Sequence, residues 1–375
     1  MNIRENEILK VLKTIIHPSA GKDIVSLGFI KNLSISEDKL SFDLSFSSVN
    51  DPLKSSIKRA CEISLKEKYT DKLKVTIGIL TSLQPVQPKT KEKLLPTVRN
   101  IVAVASGKGG VGKSTVATNL AIAFARSGAN VGLIDADIFG PSIPKMLGVE
   151  NEKPSVARIE GKDLLIPVEK YGIRILSIGF FVDPADATVW RGPMASNALK
   201  QLISDASWGE LDYLFVDLPP GTSDIHLTLV QTVPVTGAII VSTPQDVALA
   251  DAIKGVNMFQ NDTINVPVLG LIENMSWFTP EELPDHKYYI FGREGGVRLA
   301  RQLNIPLLGQ IPLVQSIREG SDQGVPVVIK KGIVSEAFEH IAESLRIEII
   351  KRNTNKPPTQ KVKITRHNMS ELKNK

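Results

Sequence analysis

The spacing of apolar and polar positions divides the chain into two stretches with different periods. In ENEILKVLKTII, apolar Ile8, Leu9, Leu12, Ile15 and Ile16 recur at helical spacing and predict an amphipathic helix. In KLSFDLSF, Leu40, Phe42, Leu44 and Phe46 alternate with polar neighbours, which predicts a half-buried strand. DPLKSSIKRACEISLKEKY reads as a helix opened by Asp51 as N-cap with Pro52 at the first helical position. KLKVTIGIL follows as another strand. The order α-β-β-α-β predicts a small α+β domain over residues 1–82.

QPVQPKTKEKLLPTVRN carries three prolines and several lysines with no apolar period, so residues 83–97 read as a linker. Beyond it the pattern becomes continuous apolar runs separated by helical stretches. NIVAVAS, NVGLIDA, IRILSIG, YLFVDLP, GAIIVST, VPVLGLIEN and PLLGQIP are rich in Val, Ile and Leu. Runs of this kind belong to parallel strands covered on both faces. The predicted fold of residues 98–352 is therefore a doubly wound α/β domain with a mainly parallel sheet.

Composition changes this picture little, and charge changes it in one place. No apolar run approaches the ~20 residues of a membrane span. The N-terminal MNIRENEILKVLKTIIHPSA mixes charges into its apolar residues and does not read as a signal peptide, so the cytoplasm is the expected location. The net charge of +5 comes from the last 25 residues, which hold eight Lys or Arg and one Glu. Residues 353–375 are expected to form a basic, solvated tail rather than a nucleic-acid arm, and no nucleic-acid or membrane partner is expected. The single cysteine, Cys61, excludes an intrachain disulfide. Ile57, Cys61 and Leu65 share one helical face, which favours a buried structural thiol. The five histidines are scattered without metal-ligand spacing.

Chemistry concentrates after the first long apolar run. NIVAVAS leads into GKGGVGKST and then into VATNLAIAFARSG, a predicted helix closed by Gly128. Strand, glycine-rich loop and helix is the context that makes G-x-x-x-x-G-K-[ST] a phosphate-binding loop, here Gly107 to Ser114. Gly107, Lys108, Gly109, Gly110, Val111, Gly112, Lys113, Ser114 and Thr115 are the expected nucleotide contacts. Their amides and the helix N-terminus face phosphate oxygens. Lys113 is expected on the β/γ-phosphates and the Ser114 hydroxyl on Mg²⁺. YLFVDLPPGTSD supplies an apolar strand ending in Asp217, a candidate for the Mg²⁺ shell. LIDADIFGPS ends another strand with Asp135 and Asp137, which could face metal or water, or cap the short helix SIPKMLG.

Taken together, KGGVGKST, DADIFGPS, WRGPM, DLPPGTSD and ENMSWF resemble the Mrp/ApbC family of cytosolic ATPases over residues 98–345. These belong to the deviant Walker A class, with the nitrogenase iron protein and the division and partitioning ATPases. HPSAGKDIVSLGFI and DPLKSSIKRAC resemble the iron–sulfur-assembly domain often fused ahead of them. The resemblance implies a homodimeric Mg-ATP hydrolase that binds iron–sulfur clusters and transfers them to apoproteins or assembly partners. It implies that Lys108 crosses the two-fold axis to the other subunit's nucleotide. It also implies that Asp137 orients the attacking water, that Asp217 holds Mg²⁺ through water, and that Asn274 and the loop around Pro312 flank adenine. Arg191 of WRGPM fits the family without an assigned role. The family's cluster is held by a Cys-x-x-Cys after ENMS, where this chain has Thr279, Pro280, Glu281 and Glu282. His286 and Asp285 are candidate iron ligands in that stretch, which otherwise reads as a solvated acidic loop. An ATP-gated adaptor or positioning ATPase that binds no cluster is the alternative.

Overall fold

The computed structural model describes residues 4–16, 22–36, 39–46, 54–69, 73–81, 94–181, 192–280, 282–283 and 285–362. The chain divides into two units, residues 1–92 and 93–375.

The first unit contains α1 (Glu5–Leu12), β1 (Ile30–Ser36), β2 (Lys39–Phe46), α2 (Lys54–Tyr69) and β3 (Lys74–Thr81). Strand β2 is central, antiparallel to β1 and parallel to β3. Its inward residues Leu40, Phe42, Leu44 and Phe46 meet Ile8 and Leu12 of α1 and Ile57, Cys61 and Leu65 of α2 in one buried core. The alternation expected for β2 and the shared face around Cys61 are thus both present. Helix α1 stops at Leu12 rather than reaching Ile16. Past Leu12 the helix tightens into a turn, Thr14 and Ile15 donating to the Val11 and Leu12 carbonyls, and the chain then pairs elsewhere: the Ile15 carbonyl accepts from the Ile24 amide (3.1 Å), and Ile16 bridges to Asp23. Asp51 and Pro52, expected to open α2, lie outside the described residues.

The second unit is built on an eight-stranded sheet. Its strands are β4 (Val98–Ser106), β5 (Val131–Asp135), β8 (Val168–Lys170), β9 (Ile173–Ser177), β10 (Leu211–Asp217), β11 (Gly237–Ser242), β12 (Val268–Glu273) and β13 (Leu307–Gln310). They lie in the order β13-β12-β11-β4-β10-β5-β9-β8, all parallel except β8, which is antiparallel to β9. Every long apolar run read as a strand is one. Between β5 and β8 the sequence reading missed a hairpin, β6 (Ser155–Ile159) and β7 (Lys162–Ile166). It turns on Glu160 (φ 50°) and Gly161 (φ 81°), both left-handed, as a primed two-residue turn requires. Its residues are mostly exposed, so no apolar alternation announced it.

Helices cover both faces of the sheet. On one side α5 (Gly192–Ser204), α6 (Asp224–Thr232), α7 (Asp246–Gln260) and α8 (Gly295–Gln302) bury Leu199, Leu229, Phe259 and Leu299 against Leu214 and Ile240. On the other, α3 (Lys113–Arg126) packs on the middle of the sheet beside α10 (Ile333–Asn355), which lies on β12 and β13, and Val116 to Phe124 are buried among them. This explains why the α3 sequence is apolar on every side. Phe124 packs edge-on against Phe215, ring centroids 5.2 Å apart. The short α4 (Ile143–Met146) and α9 (Gln315–Asp322) contact each other.

Helix α10 runs to Asn355, beyond the boundary expected at 352. The chain then follows the domain to Val362, whose amide donates to the Val230 carbonyl (2.9 Å). Residues 353–355 of the expected tail thus continue α10, 356–358 and 360 are exposed, and Val362 is tied back to the domain; residues 363–375 lie outside the described residues. Among the described residues no helix is long and apolar enough to cross a membrane.

Candidate active site

Sheet register brings the candidate residues together. Strand β10 lies between β4 and β5, and Asp217 at its end pairs in register with Val104 on one side and Asp135 on the other. The glycine-rich loop leaving β4, Asp217, and Asp135 with Asp137 therefore meet at the carboxyl edge, where open α/β sheets bind ligands.

The loop closes into α3 through backbone that needs glycine. Gly110 and Gly112 have φ of 81° and 80°. A side chain at Gly112 would run into the Asn274 amide, and one at Gly107 into the backbone at Asp251 and Ala252. The loop lines a cavity of about 260 Å³ together with Asp137, Ser142, Met146 and Pro220. The Gly221 amide donates to the Ser106 carbonyl (2.9 Å), which ties the Pro219–Gly221 turn to the root of the loop.

Charge in the site is tightly partnered. Lys113, 6% exposed, donates through Nζ to Asp217 Oδ1 at 2.7 Å and lies 3.7 Å from Asp137 Oδ2. Ser114 Oγ donates to Asp217 Oδ2 at 2.6 Å. Asp135 accepts from the Asp137 and Ile143 amides (both 3.2 Å) and from Ser177 Oγ (2.9 Å). It thus binds the first turn of α4, one of the two roles its position in the sequence allowed. Burial pushes the carboxyls of Asp135 and Asp217 above the usual range, and Asp135 is raised further by the charge of Asp217. Asp137 is raised by burial too, with Lys113 opposing.

Other expected residues stand differently. Lys108 lines the cavity, and its ammonium has no hydrogen bond or ion pair with a described residue. Asn274 does not line the cavity: its Nδ2 donates to the Val111 carbonyl at 2.8 Å behind the loop. Pro312 is buried beyond β13 and also lies apart from the cavity lining. Arg191 and Glu281 lie outside the described residues. Among the described residues no cluster of His, Cys, Asp and Glu could hold a metal ion, so His286 and Asp285 are not gathered into one. Cys61 is fully buried in the first unit, and burial pushes its thiol up to about 12.

One polar residue near the site was missed. His226 in the first turn of α6 closes a capping box with Ser223, whose amide donates to Nδ1 at 3.2 Å. Burial, with Lys113 adding to it, lowers its pKa to about 4, so the ring is neutral at pH 7. Ser-x-x-His at the spacing of a capping box was the available signal.

The chain is similar to known families and proteins over most of its length. Residues 97–346 match the family model described as NUBPL iron-transfer P-loop NTPase, and residues 5–77 match that of iron–sulfur cluster assembly protein. The chain is similar to the iron–sulfur cluster carrier protein of Synechocystis, 44% identical over 86% of this chain and 91% of that one. It is also similar to that of Escherichia coli, 42% identical over 84% of each. A solved nucleotide-binding protein from Archaeoglobus fulgidus, in complex with ADP, superposes with a TM-score of 0.55. It is 37% identical, and the match covers 64% of this chain and 91% of that chain.

Proposed function

The chain belongs to the family of NUBPL-type iron-transfer P-loop NTPases, and from that premise we propose a homodimeric, cytoplasmic Mg-ATP hydrolase that binds iron–sulfur clusters and transfers them to apoproteins. The observation that carries this reading is the convergence of Lys113, Ser114 and Asp137 on one glycine-lined cavity, with the buried Asp217 bonded to both Lys113 and Ser114.

ATP enters with its phosphates in the loop, where the amides of Gly109 to Lys113 and the N-terminus of α3 receive the oxygens. Lys113 exchanges part of its contact with Asp217 for the β/γ-phosphates. The Ser114 hydroxyl and the Asp217 carboxylate are neighbouring hard oxygen donors and fit Mg²⁺, which when bound offsets charge on the phosphates. Asp137 holds the attacking water for in-line addition to the γ-phosphorus as the bond to the β–γ bridging oxygen breaks. Lys108 of the other subunit offsets charge on the transferring group, as an arginine finger does. That its ammonium has no partner among the described residues supports that role.

The cluster is cargo, and its ligands are the weak point of the family role. Iron–sulfur clusters are held chiefly by four thiolates, and a dimer of this chain brings two thiols, both buried and both resistant to ionisation. That observation favours the second reading, an ATP-gated adaptor that recruits assembly partners without holding the cluster. Anaerobic reconstitution with iron and sulfide, followed by metal analysis and visible absorption, separates the two. Stoichiometric cluster that passes to an apoprotein supports the carrier. Mg-ATP turnover with no retained iron supports the adaptor, and no turnover at all refutes both.

A further inference from the structure

Ser106 ends β4 at the root of the phosphate loop and is 1% exposed. Its hydroxyl has one proton to give, and gives it to the Lys108 carbonyl, two residues on, at 3.0 Å. Ser106 itself is held from two other directions. It pairs in register with Val241 of β11, and its carbonyl accepts from the Gly221 amide at 2.9 Å. Gly107, between Ser106 and Lys108, is seated so closely on the backbone of Asp251 and Ala252 in α7 that no Cβ fits there.

These restraints meet at Lys108. The residue lies between two peptide planes, both trans. The seat of Gly107 on α7 holds the first plane, and the Ser106 hydroxyl holds the second by its carbonyl. With both planes held, the two backbone dihedrals of Lys108 are set, and with them the direction in which its Cα–Cβ bond leaves the loop. The far end of the side chain does no aiming, because the ammonium has no hydrogen bond or ion pair with a described residue. An acidic partner would aim the lysine but neutralise it. A hydroxyl on the backbone carbonyl aims it and leaves the charge whole.

We infer that Ser106 is a positioning residue for Lys108, aiming the lysine at the nucleotide of the other subunit through the Lys108 carbonyl. The inference rests on the trans-acting role of Lys108 given above.

Turnover and nucleotide affinity of the full-length protein test it in Ser106→Ala, Lys108→Ala and the double variant, with Ser106→Cys as a near-isosteric control whose thiol is a weak donor. Ser106→Ala and Ser106→Cys should each lower kcat by on the order of 10- to 100-fold, the effect of a displacement of about 1 Å. KM, and Kd for a Mg²⁺-bound non-hydrolysable ATP analogue, should stay within about twofold of the wild type. The double variant should turn over no more slowly than Lys108→Ala, since Ser106 then has nothing to aim. The defect should also travel with the lysine. When a Ser106→Ala subunit is paired with an Asp137→Ala subunit, the site that keeps its Asp137 receives Lys108 from the chain with intact Ser106, and should run at the wild-type rate per site. Wild-type kcat in both Ser106 variants, additive losses in the double variant, or a mixed dimer as slow as the Ser106→Ala homodimer each overturn the positioning role. So does a loss of affinity as large as the loss of turnover, because Ser106 would then serve the shape of the loop alone. Wild-type turnover in Lys108→Ala defeats the reading of Lys108 itself.

Discussion

Replacing Lys113 with alanine should have two separable consequences, because the same ammonium serves the resting fold and the ligand. In the resting site Lys113 is 6% exposed and its partner Asp217 is fully buried, with 2.7 Å between Nζ and Oδ1. Removing one member of such a buried pair costs about 3–5 kcal/mol, since the remaining carboxylate loses its counter-charge. The Ser114 hydroxyl alone stays bonded to Asp217. The Asp217 carboxyl is already pushed upward by burial, so at low pH it escapes part of this cost by taking a proton, and pH 8 shows the effect most fully. Binding loses less than the gross contact energy, because phosphate must first draw Lys113 from Asp217. The net loss of one charge-assisted contact, about 1.5–3 kcal/mol, corresponds to a Kd raised roughly 10- to 150-fold. Urea unfolding without nucleotide and calorimetric titration with a Mg²⁺-bound ATP analogue measure the two quantities. The double variant Lys113→Ala/Asp217→Asn should recover most of the stability and none of the affinity. A folded Lys113→Ala protein with unchanged Kd, or a double variant no more stable than the single one, would refute the reasoning.

Lys108→Ala should keep nucleotide affinity while turnover falls by about 10³–10⁵-fold, as for arginine fingers; mixed with inactive Asp137→Ala subunits it should regain activity, and a confirmed heterodimer without activity sinks the trans-acting lysine. Removing the divalent cation with EDTA should weaken ATP binding, with Ser114→Ala reducing the difference between cation-bound and free ATP; equal affinity for both forms in the wild type would exclude Ser114 and Asp217 as the cation's holders. The Asp135 carboxyl is raised to about 7 by burial and by Asp217, so the fold favours its protonated form. Its contribution is full below about pH 4 and lost as pH rises through 7. The stability difference between wild type and Asp135→Asn, followed by thermal unfolding without nucleotide, should shift against the wild type across that window, and a pH-independent difference counts against it. Truncation after Val362 should leave the unfolding midpoint unchanged. Truncation after Lys351 removes the Asn353–Asn100 bond (2.8 Å) and the Val362 contact, and should lower the midpoint by ~2–4 °C per kcal/mol lost.

What could be read from the sequence follows from how local each constraint is. The phosphate loop was legible because Gly110 and Gly112 must be left-handed, a demand written into residue type. Asp217 and Asp135 were legible as strand ends, since the apolar runs before them are long and continuous. Their adjacency was not, because it depends on β10 entering between β4 and β5, which is a property of strand order. Asn274 shows the limit most plainly. The family resemblance implies a place for it beside adenine, and its donor goes to the carbonyl of a residue 163 positions earlier. No spacing rule reports a side chain committed to distant backbone. The same holds for the tail, whose composition is that of a solvated segment while bonds from Asn353 to Asn100 and from Val362 to Val230 tie two points of it to the domain.

The balance of charge in the resting site bears on why a second lysine stands in the loop. Lys113 faces Asp217 directly and Asp137 at 3.7 Å, and Asp135 lies beside Asp217 in register. One buried cation is thus set against three carboxyl groups, each pushed toward its protonated form by burial. Such a site repels the phosphates of ATP unless positive charge arrives with them. A divalent cation, held by Ser114 and Asp217 as proposed above, would supply part of it and would leave Lys113 free to turn to the β/γ-phosphates. The charge that develops during transfer then needs a further cation that is not already neutralised by the aspartates. Lys108 has no carboxylate partner among the described residues. A cation without such a partner stays available to a nucleotide it reaches from outside, which is why loss of Lys108 should remove turnover and leave binding.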